Sequence, residues 1–257
     1  MEIKFHNKII LVTGSTRGIG KEIARAFGEA GGNIIINSRR EEAVEDTVDE
    51  FRKSGYQAVG YAADVGSWDS VKKLMEFIGA THKRLDVIVN NAGISFPLAG
   101  VSEMAVEDWD NILKTNLSGP FFVAKAGLPL MQYAGGGSII NIGSMAYLLQ
   151  IGSPNPAYSA AKGGLVSLTK ALVKDCSPHK IRVNAISPWY VKNDKFDDIF
   201  KKAGIDQNYA AERNPLGRTA LPADISSLAL FLASDHASFI SGQVIHVSGA
   251  AEVLIRK

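Results

Sequence analysis

The sequence predicts an α/β fold, a doubly wound parallel sheet with helices on both faces, and three observations carry that prediction. Short β-branched runs alternate with longer helix-like stretches along almost the whole chain. The runs are continuously apolar, as strands buried on both faces must be. The first run also ends in a glycine-rich turn that opens a helix, the local form of a βα unit.

Residues 9–13, Ile-Ile-Leu-Val-Thr, form the first expected strand. Residues 18–30 place Ile19, Ile23, Ala26, Phe27 and Ala30 at helical spacing, giving one apolar face. A strand at 34–37 precedes a charged amphipathic helix at 41–54, and a strand at 58–62 precedes a helix at 67–81. The fourth strand covers 86–90, helices fill 106–134, and the fifth strand covers 138–142. A helix at 157–176 leads to the sixth strand at 182–186, and a helix at 222–233 leads to the seventh at 243–247.

No linker rich in Gly, Ser or Pro interrupts this repeat, so residues 1–257 are expected to form a single domain. One stretch, 187–218, departs from it, with scattered charges and the aromatics Trp189, Tyr190, Phe196, Phe200 and Tyr209. It follows the sixth strand at its carboxyl end, where α/β sheets bind ligands. A substrate lid is expected there; the alternative is an ordinary surface excursion. Aromatic residues in a lid suit an apolar or ring-bearing ligand.

Composition narrows the function. A chain of 257 residues, 46% hydrophobic, buries a core without disulfides or metal. Its lone cysteine, Cys176, excludes a disulfide framework and a cysteine-based zinc or iron–sulfur site. The histidines His6, His82, His179, His236 and His246 are scattered without metal-ligand spacing, so no metal is expected. Lys and Arg number 28 against 26 Asp and Glu, with no basic tract, so neither nucleic acid nor an anionic membrane is an expected partner. No apolar run is long enough to span a bilayer, and the first residues lack a signal-peptide pattern; a cytoplasmic protein is expected.

The turn Thr13-Gly14-Ser15-Thr16-Arg17-Gly18-Ile19-Gly20 lies between the first strand and the first helix. Glycines serve where backbone must turn sharply or approach a pyrophosphate, and the helix N-terminus offers free N–H groups to phosphate. The second strand then ends in Asn37-Ser38-Arg39-Arg40, with no acid to hold a ribose 2′-hydroxyl or repel a 2′-phosphate. Arg39, Arg40 and Arg17 offer guanidinium forks to such a phosphate, which favours NADP(H) over NAD(H). The alternative, a solvated helix start, places cations at a helix N-terminus, where they need a local anion.

Tyr158 and Lys162 are four apart on an expected helix and share one face. A nearby ammonium stabilises a phenolate, so the pair is a plausible proton-transfer unit with a lowered tyrosine pKa; the alternative is a tyrosine packed on a lysine stem. Ser144 follows the fifth strand, where its hydroxyl can bond a substrate oxygen or simply cap a turn. Its surroundings are not Gly-x-Ser-x-Gly, so no hydrolase elbow is supported.

Taken in order, these pieces, together with Asp64-Val65, Asn90-Asn91-Ala92-Gly93, Asn116 and Pro188, resemble the classical short-chain dehydrogenase/reductase family. The likeness runs from Lys8 to about Gly249 and is nearest in general look to 3-oxoacyl carrier-protein reductases. It implies a Rossmann-type fold and a homotetramer or homodimer formed by the long helices after the fourth and fifth strands and by the C-terminal segment. Tyr158 is then the general acid in reduction and base in oxidation. Lys162 lowers its pKa and holds the nicotinamide ribose, Ser144 polarises the substrate carbonyl, and Asn116 binds a water of a proton relay. Asp64 contacts the adenine amino group, with Val65 beside it. Asn91, Ala92 and Gly93 line the cofactor, Pro188 and Val191 flank the carboxamide, and Asn193 bonds it. Two positions depart: relatives usually carry Gly and often Thr where this chain has Trp189 and Asn193, and the tail reads Ser248-Gly249-Ala250 where relatives tend to a glycine pair. Trp189 can swing aside, cover the substrate or narrow the pocket.

The expected function is an NADP(H)-dependent oxidoreductase acting on a small-molecule carbonyl or secondary alcohol. A cofactor-binding protein with little catalysis, serving redox sensing or assembly, is the alternative, and a dehydratase or epimerase is a third.

Overall fold

The computed structural model describes residues 2–148, 155–192, 206 and 208–254. Seven strands pair in the order β3-β2-β1-β4-β5-β6-β7, every pair parallel. They are β1 Ile9–Thr13, β2 Asn33–Ser38, β3 Gln57–Ala62, β4 Val87–Asn90, β5 Gly137–Ile142, β6 Ile181–Pro188 and β7 Val244–Val247. The longer helices are α1 Gly18–Glu29, α2 Glu41–Lys53, α3 Trp68–His82, α4 Val106–Leu113, α5 Gly119–Tyr133, α6 Pro156–Cys176 and α7 Pro222–Ala233. Each expected strand is present to within a residue or two at its ends.

Alternate residues of the central strands feed two cores. Ile10, Val12, Ile34 and Ile36 face α1, α2 and α7, packing with Ile23, Phe27, Phe51 and Leu232. Ile9, Leu11, Ile35, Ile88 and Ile139 face the opposite side, against Leu74, Met75 and Ile78 of α3 and Val123 and Met131 of α5. Burying each such side chain is worth about 1.5–3 kcal/mol relative to exposure, which accounts for the unbroken apolar strands.

The expected helical stretch at 106–134 is divided. Between α4 and α5, Lys114–Ser118 forms a π-helical turn, a widened turn often found at functional sites. In the expected lid, Pro188 still belongs to β6, Val191 bridges Ala220 in parallel, and Tyr209–Glu212 forms one helical turn. Asn193, Phe196 and Phe200 lie outside the described residues. Chain direction reverses its spread across the sheet between β1 and β4, so the crevice above their carboxyl ends is where ligands of such folds bind.

Candidate functional site

A cavity of about 670 Å³ opens at that edge of the sheet. Gly14, Thr16, Arg17, Gly18, Ile19 and Gly20 form one wall; Ser38, Arg39, Asp64 and Val65 lie at one end, and Asn91, Ala92 and Gly93 line its floor. The sequence expectations for these residues converge on one space.

The glycine turn depends on absent side chains. Gly14 has φ +64°, and a Cβ there would meet Ala92 Cα at 2.9 Å. A Cβ on Gly20 would strike Asn91 Nδ2 and the Gly14 carbonyl. Thr13, at the end of β1, organises the floor: its Oγ1 accepts from the amides of Asn91 and Ala92, each at 3.0 Å. Asn91 turns its amide group under the loop, donating to the carbonyls of Thr13 at 2.9 Å and Gly14 at 3.1 Å. Asn91 thus braces the loop with its side chain.

At the β2 end, Ser38 and Arg39 line the cavity, whereas Arg40 stands outside this lining, exposed, as the N-cap residue of α2. Glu41 and Glu42 in the first turn of α2 supply the local anions that let a cation sit at a helix start. Asp64 accepts from the Gly66 amide at 2.9 Å. Val65 is buried and packs where a Cβ on Gly119 would approach to 3.0 Å. Pro188 and Val191 are buried and are not part of its lining.

Asn116 is fully buried in the π-helical turn. Its Oδ1 accepts from the Ile94 amide at 3.2 Å, and its Nδ2 donates to the carbonyls of Ile94 at 2.7 Å and Ile112 at 2.9 Å. Gly93 leaves room for it, since a Cβ there would lie 2.6 Å from Asn116 Oδ1. Gly93 and Ile94 line the cavity, so Asn116 adjoins it from behind.

Tyr158 and Lys162 ride on α6, which Asn155 caps by accepting from the Tyr158 amide at 2.9 Å, with Pro156 in the first turn. Asn155 Nδ2 also donates to the carbonyls of Ser95 at 3.0 Å and Pro97 at 3.2 Å, tying α6 to the loop after β4. Lys162 is 4% exposed; its Nζ donates to the Ile142 carbonyl at 2.7 Å and lies 5.6 Å from the Tyr158 ring centre. Burial lowers its pKa to about 8. Ser144 caps a 3₁₀ turn, Met145–Tyr147, accepting from the Ala146 amide at 3.2 Å. It therefore fills the turn-capping role, and it is near enough to the Tyr158 hydroxyl to favour the phenolate. The lowered tyrosine pKa expected from the sequence is not found: burial holds the phenol above its ordinary value, and the nearby Ser144 hydroxyl only opposes this. Desolvation penalises both charged forms at once, so the buried pair favours neutral Tyr158.

Chemically, the arrangement offers two neighbouring hydroxyls backed by an amine, near a cleft with phosphate-compatible donors and cations. A family model described as enoyl-(acyl carrier protein) reductase matches residues 14–250. The chain is 38% identical over 251 residues to the 3-oxoacyl-[acyl-carrier-protein] reductase FabG of Aquifex aeolicus, covering 97% of this chain and 99% of the relative. The chain belongs to the short-chain dehydrogenase/reductase family. It is also 32% identical over 250 residues to a cyclohexanol dehydrogenase of Acinetobacter, covering 97% of each. A solved gluconate 5-dehydrogenase of Burkholderia cenocepacia, in complex with NADP and tartrate, matches with a TM-score of 0.90 at 31% identity over 98% of both chains. As a short-chain dehydrogenase/reductase the chain is an oxidoreductase that binds a nicotinamide cofactor and acts on a small molecule.

Several cavity residues had escaped the sequence expectations. Lys192, Pro222, Ile94 and Thr115 line the short-chain dehydrogenase/reductase cleft, and Thr13 and Asn155 hold its walls. Asn155-Pro156 carries a readable helix-start signal; Lys192 carries none, since its place depends on the Val191–Ala220 bridge across 29 residues of chain. Among the described residues no cluster of His, Cys, Asp or Glu could hold a metal, and no helix is long and apolar enough to cross a membrane.

Proposed function

We propose that this chain is an NADP(H)-dependent oxidoreductase of the CH–OH/C=O type, working as one catalytic unit with Ser144, Tyr158, Lys162 and Asn116 as its machinery. The observation that carries the proposal is Tyr158 with Lys162 Nζ 5.6 Å from its ring and Ser144 near its hydroxyl, packed on the same apolar cluster as Ile94, which lines the glycine-walled cleft. The cleft fits a dinucleotide: its backbone is stripped of side chains where Gly14 meets Ala92, and Arg17 and Arg39 project cationic groups into its lining. The nicotinamide supplies or accepts the hydride at its C4 when bound.

The chain's own residues do the rest. Gly14, Thr16, Gly18, Ile19 and Gly20 bind the pyrophosphate through the α1 N-terminus. Ser38 and Arg39, with Arg17 and the neighbouring Arg40, hold a 2′-phosphate by charge-assisted hydrogen bonds. Asp64 and Val65 receive the adenine, Asn91, Ala92 and Gly93 border the cofactor, and Pro188 and Val191 border the carboxamide. Ser144 donates to the substrate oxygen. Tyr158, kept protonated by burial, gives its proton to that oxygen in reduction and takes it back in oxidation. Lys162 holds the ribose and stabilises the phenolate as it forms, and Asn116 passes the replacement proton through a water. The substrate is a small carbonyl or alcohol; Trp189 and Tyr190, with ring centres 5.0 Å apart, favour an apolar or ring-bearing one. Exposed Val106, Phe121 and Tyr133 on α4 and α5 suit a homotetramer or homodimer, testable by sedimentation.

The test follows reduced-nicotinamide absorbance, with carbonyls offered alongside NADPH and alcohols alongside NADP+. Turnover is expected from the wild type and is lost in Tyr158→Phe while NADPH binding persists. Full activity in that variant, or no binding of NADPH, refutes the proposal; tight binding with silence across the panel favours the cofactor-binding alternative.

A further inference from the structure

A chain of polar contacts runs from the end of the protein to the turn that Ser144 caps. Tyr147 closes that turn, and its hydroxyl lies 2.9 Å from His246 Nε2 on β7. His246 Nδ1 faces Glu252 Oε1 at 3.8 Å, with both side chains about a third exposed or less, at 27% and 32%. Glu252 sits in the helical turn Ala251–Leu254. Burial works against its ionisation, yet the neighbouring Ser248, its own amide and His246 hold its carboxyl below the usual range. An ionised Glu252 draws the imidazole proton to Nδ1, leaving Nε2 to accept from the Tyr147 hydroxyl.

Both ends of this chain are anchored. The Ser248 carbonyl accepts from Asn214 Nδ2 at 2.8 Å, and Ser248 Oγ accepts from the Ala250 amide at 3.2 Å, so the terminal segment is fixed to the stretch before α7. His246 is the register partner of Ser187, whose Oγ would lie 2.6 Å from a Cβ on Gly143, the residue before Ser144. Tyr147 lies over α6, its Cβ 3.8 Å from where a Cβ on Gly163 would stand, one residue beyond Lys162. The turn bearing Ser144 is thus gripped at its start by β5 and at its end by the His246 contact.

We propose that His246, oriented by Glu252, is a positioning residue for the candidate active site: through the Tyr147 hydroxyl it fixes the turn that presents Ser144 to Tyr158. This rests on the proposed role of Ser144. The substrate-side wall of the site is then set partly by the helical turn that follows β7.

The experiment uses the full chain and two readouts. Amide hydrogen exchange over 143–148 needs no substrate. In Tyr147→Phe and His246→Ala exchange there is expected to quicken roughly three- to tenfold, the worth of one net hydrogen bond. The double variant is expected to show no further gain, and His246→Gln, which keeps a polar partner, to stay near wild type. With whichever carbonyl turns over, kcat is expected to fall by a similar factor in the same variants while NADPH affinity stays constant. Unchanged exchange over 143–148 in both single variants, or additive effects in the double, overturns the proposal. So does equal damage in His246→Gln and His246→Ala, which marks a merely space-filling role. If no carbonyl is reduced at all, the functional proposal fails, and the exchange data still decide the positioning one.

Discussion

Replacing Thr13 by Val tests how the cleft floor is held. Thr13 is 1% exposed, and its Oγ1 accepts from the amides of Asn91 and Ala92 at 3.0 Å each while donating to the Val89 carbonyl at 3.3 Å. Valine fills nearly the same volume but offers no acceptor. The Ala92 amide then loses its partner, while the Asn91 amide and the Val89 carbonyl keep each other at 3.1 Å. Stranding a buried polar group costs about 1–3 kcal/mol. The Ala92 amide is only part-buried, so the loss falls near the lower end, about 1–2 kcal/mol. For a domain of this size that lowers Tm by about 2–8 °C. Urea unfolding followed by circular dichroism measures the free energy directly. Cofactor affinity is expected to fall with it, because the Asn91–Ala92 backbone loses its tie to the Thr13 hydroxyl even though the Asn91 side chain still donates to the carbonyls of residues 13 and 14. Thr13→Ser keeps the hydroxyl and is expected to retain most of both. A Thr13→Val protein within about 0.5 kcal/mol of wild type, with unchanged NADPH binding, would show that water satisfies the Ala92 amide and that the hydroxyl does not hold the floor.

Arg39→Asp is expected to weaken NADPH at least about tenfold relative to NADH, a loss near 1.4 kcal/mol, read by nicotinamide fluorescence titration. Asn155→Ala removes a helix cap and two tethers to the loop after β4, so a stability loss of about 1–2 kcal/mol is expected, with kcat falling because Tyr158 rides on that first turn. Lys162 gives a pH signature. Its folded pKa of about 8 lies below the unfolded value of about 10.4, so between these values the unfolded state binds more protons and stability rises with pH. Below about pH 8 both states are charged and the burial penalty is fully present. Wild type is therefore expected to gain stability relative to Lys162→Met as pH is raised through that window, by denaturant unfolding at each pH; a flat difference contradicts it.

Most of the fold was legible because its code is local. Strands buried on both faces must be continuously apolar, and Ile9 to Val12 or Ile34 to Ile36 are. The glycine turn was readable for a similar reason, since few residues tolerate the φ at Gly14. Tyr158 and Lys162 announce themselves by a spacing of four. What was not legible is what long-range packing decides. The division of 106–134 by a π-helical turn leaves no compositional trace. Lys192 reaches the cleft only because Val191 pairs with Ala220. The sign of the Tyr158 shift also depended on how deeply α6 would bury its first turns, which spacing alone does not report.

The π-helical turn at Lys114–Ser118 has a consequence for how this chain tolerates change in length. Each residue advances an α-helix by about 100°, so the wider turn offsets the phase of α5 against that of α4. That offset lets α4 pack on α6 while α5 packs on α3. Asn116 sits inside the widened turn, reaching Ile94 and Ile112. Deleting one residue of 114–118 would let the turn close as an ordinary α-helical turn and unseat Asn116, whereas deleting one inside α5 would rotate the rest of that helix by about 100° and turn its apolar side chains towards water. Point substitutions at exposed positions of the same turn disturb nothing comparable. The segment behaves as a length standard: its residue count matters more than much of its chemistry.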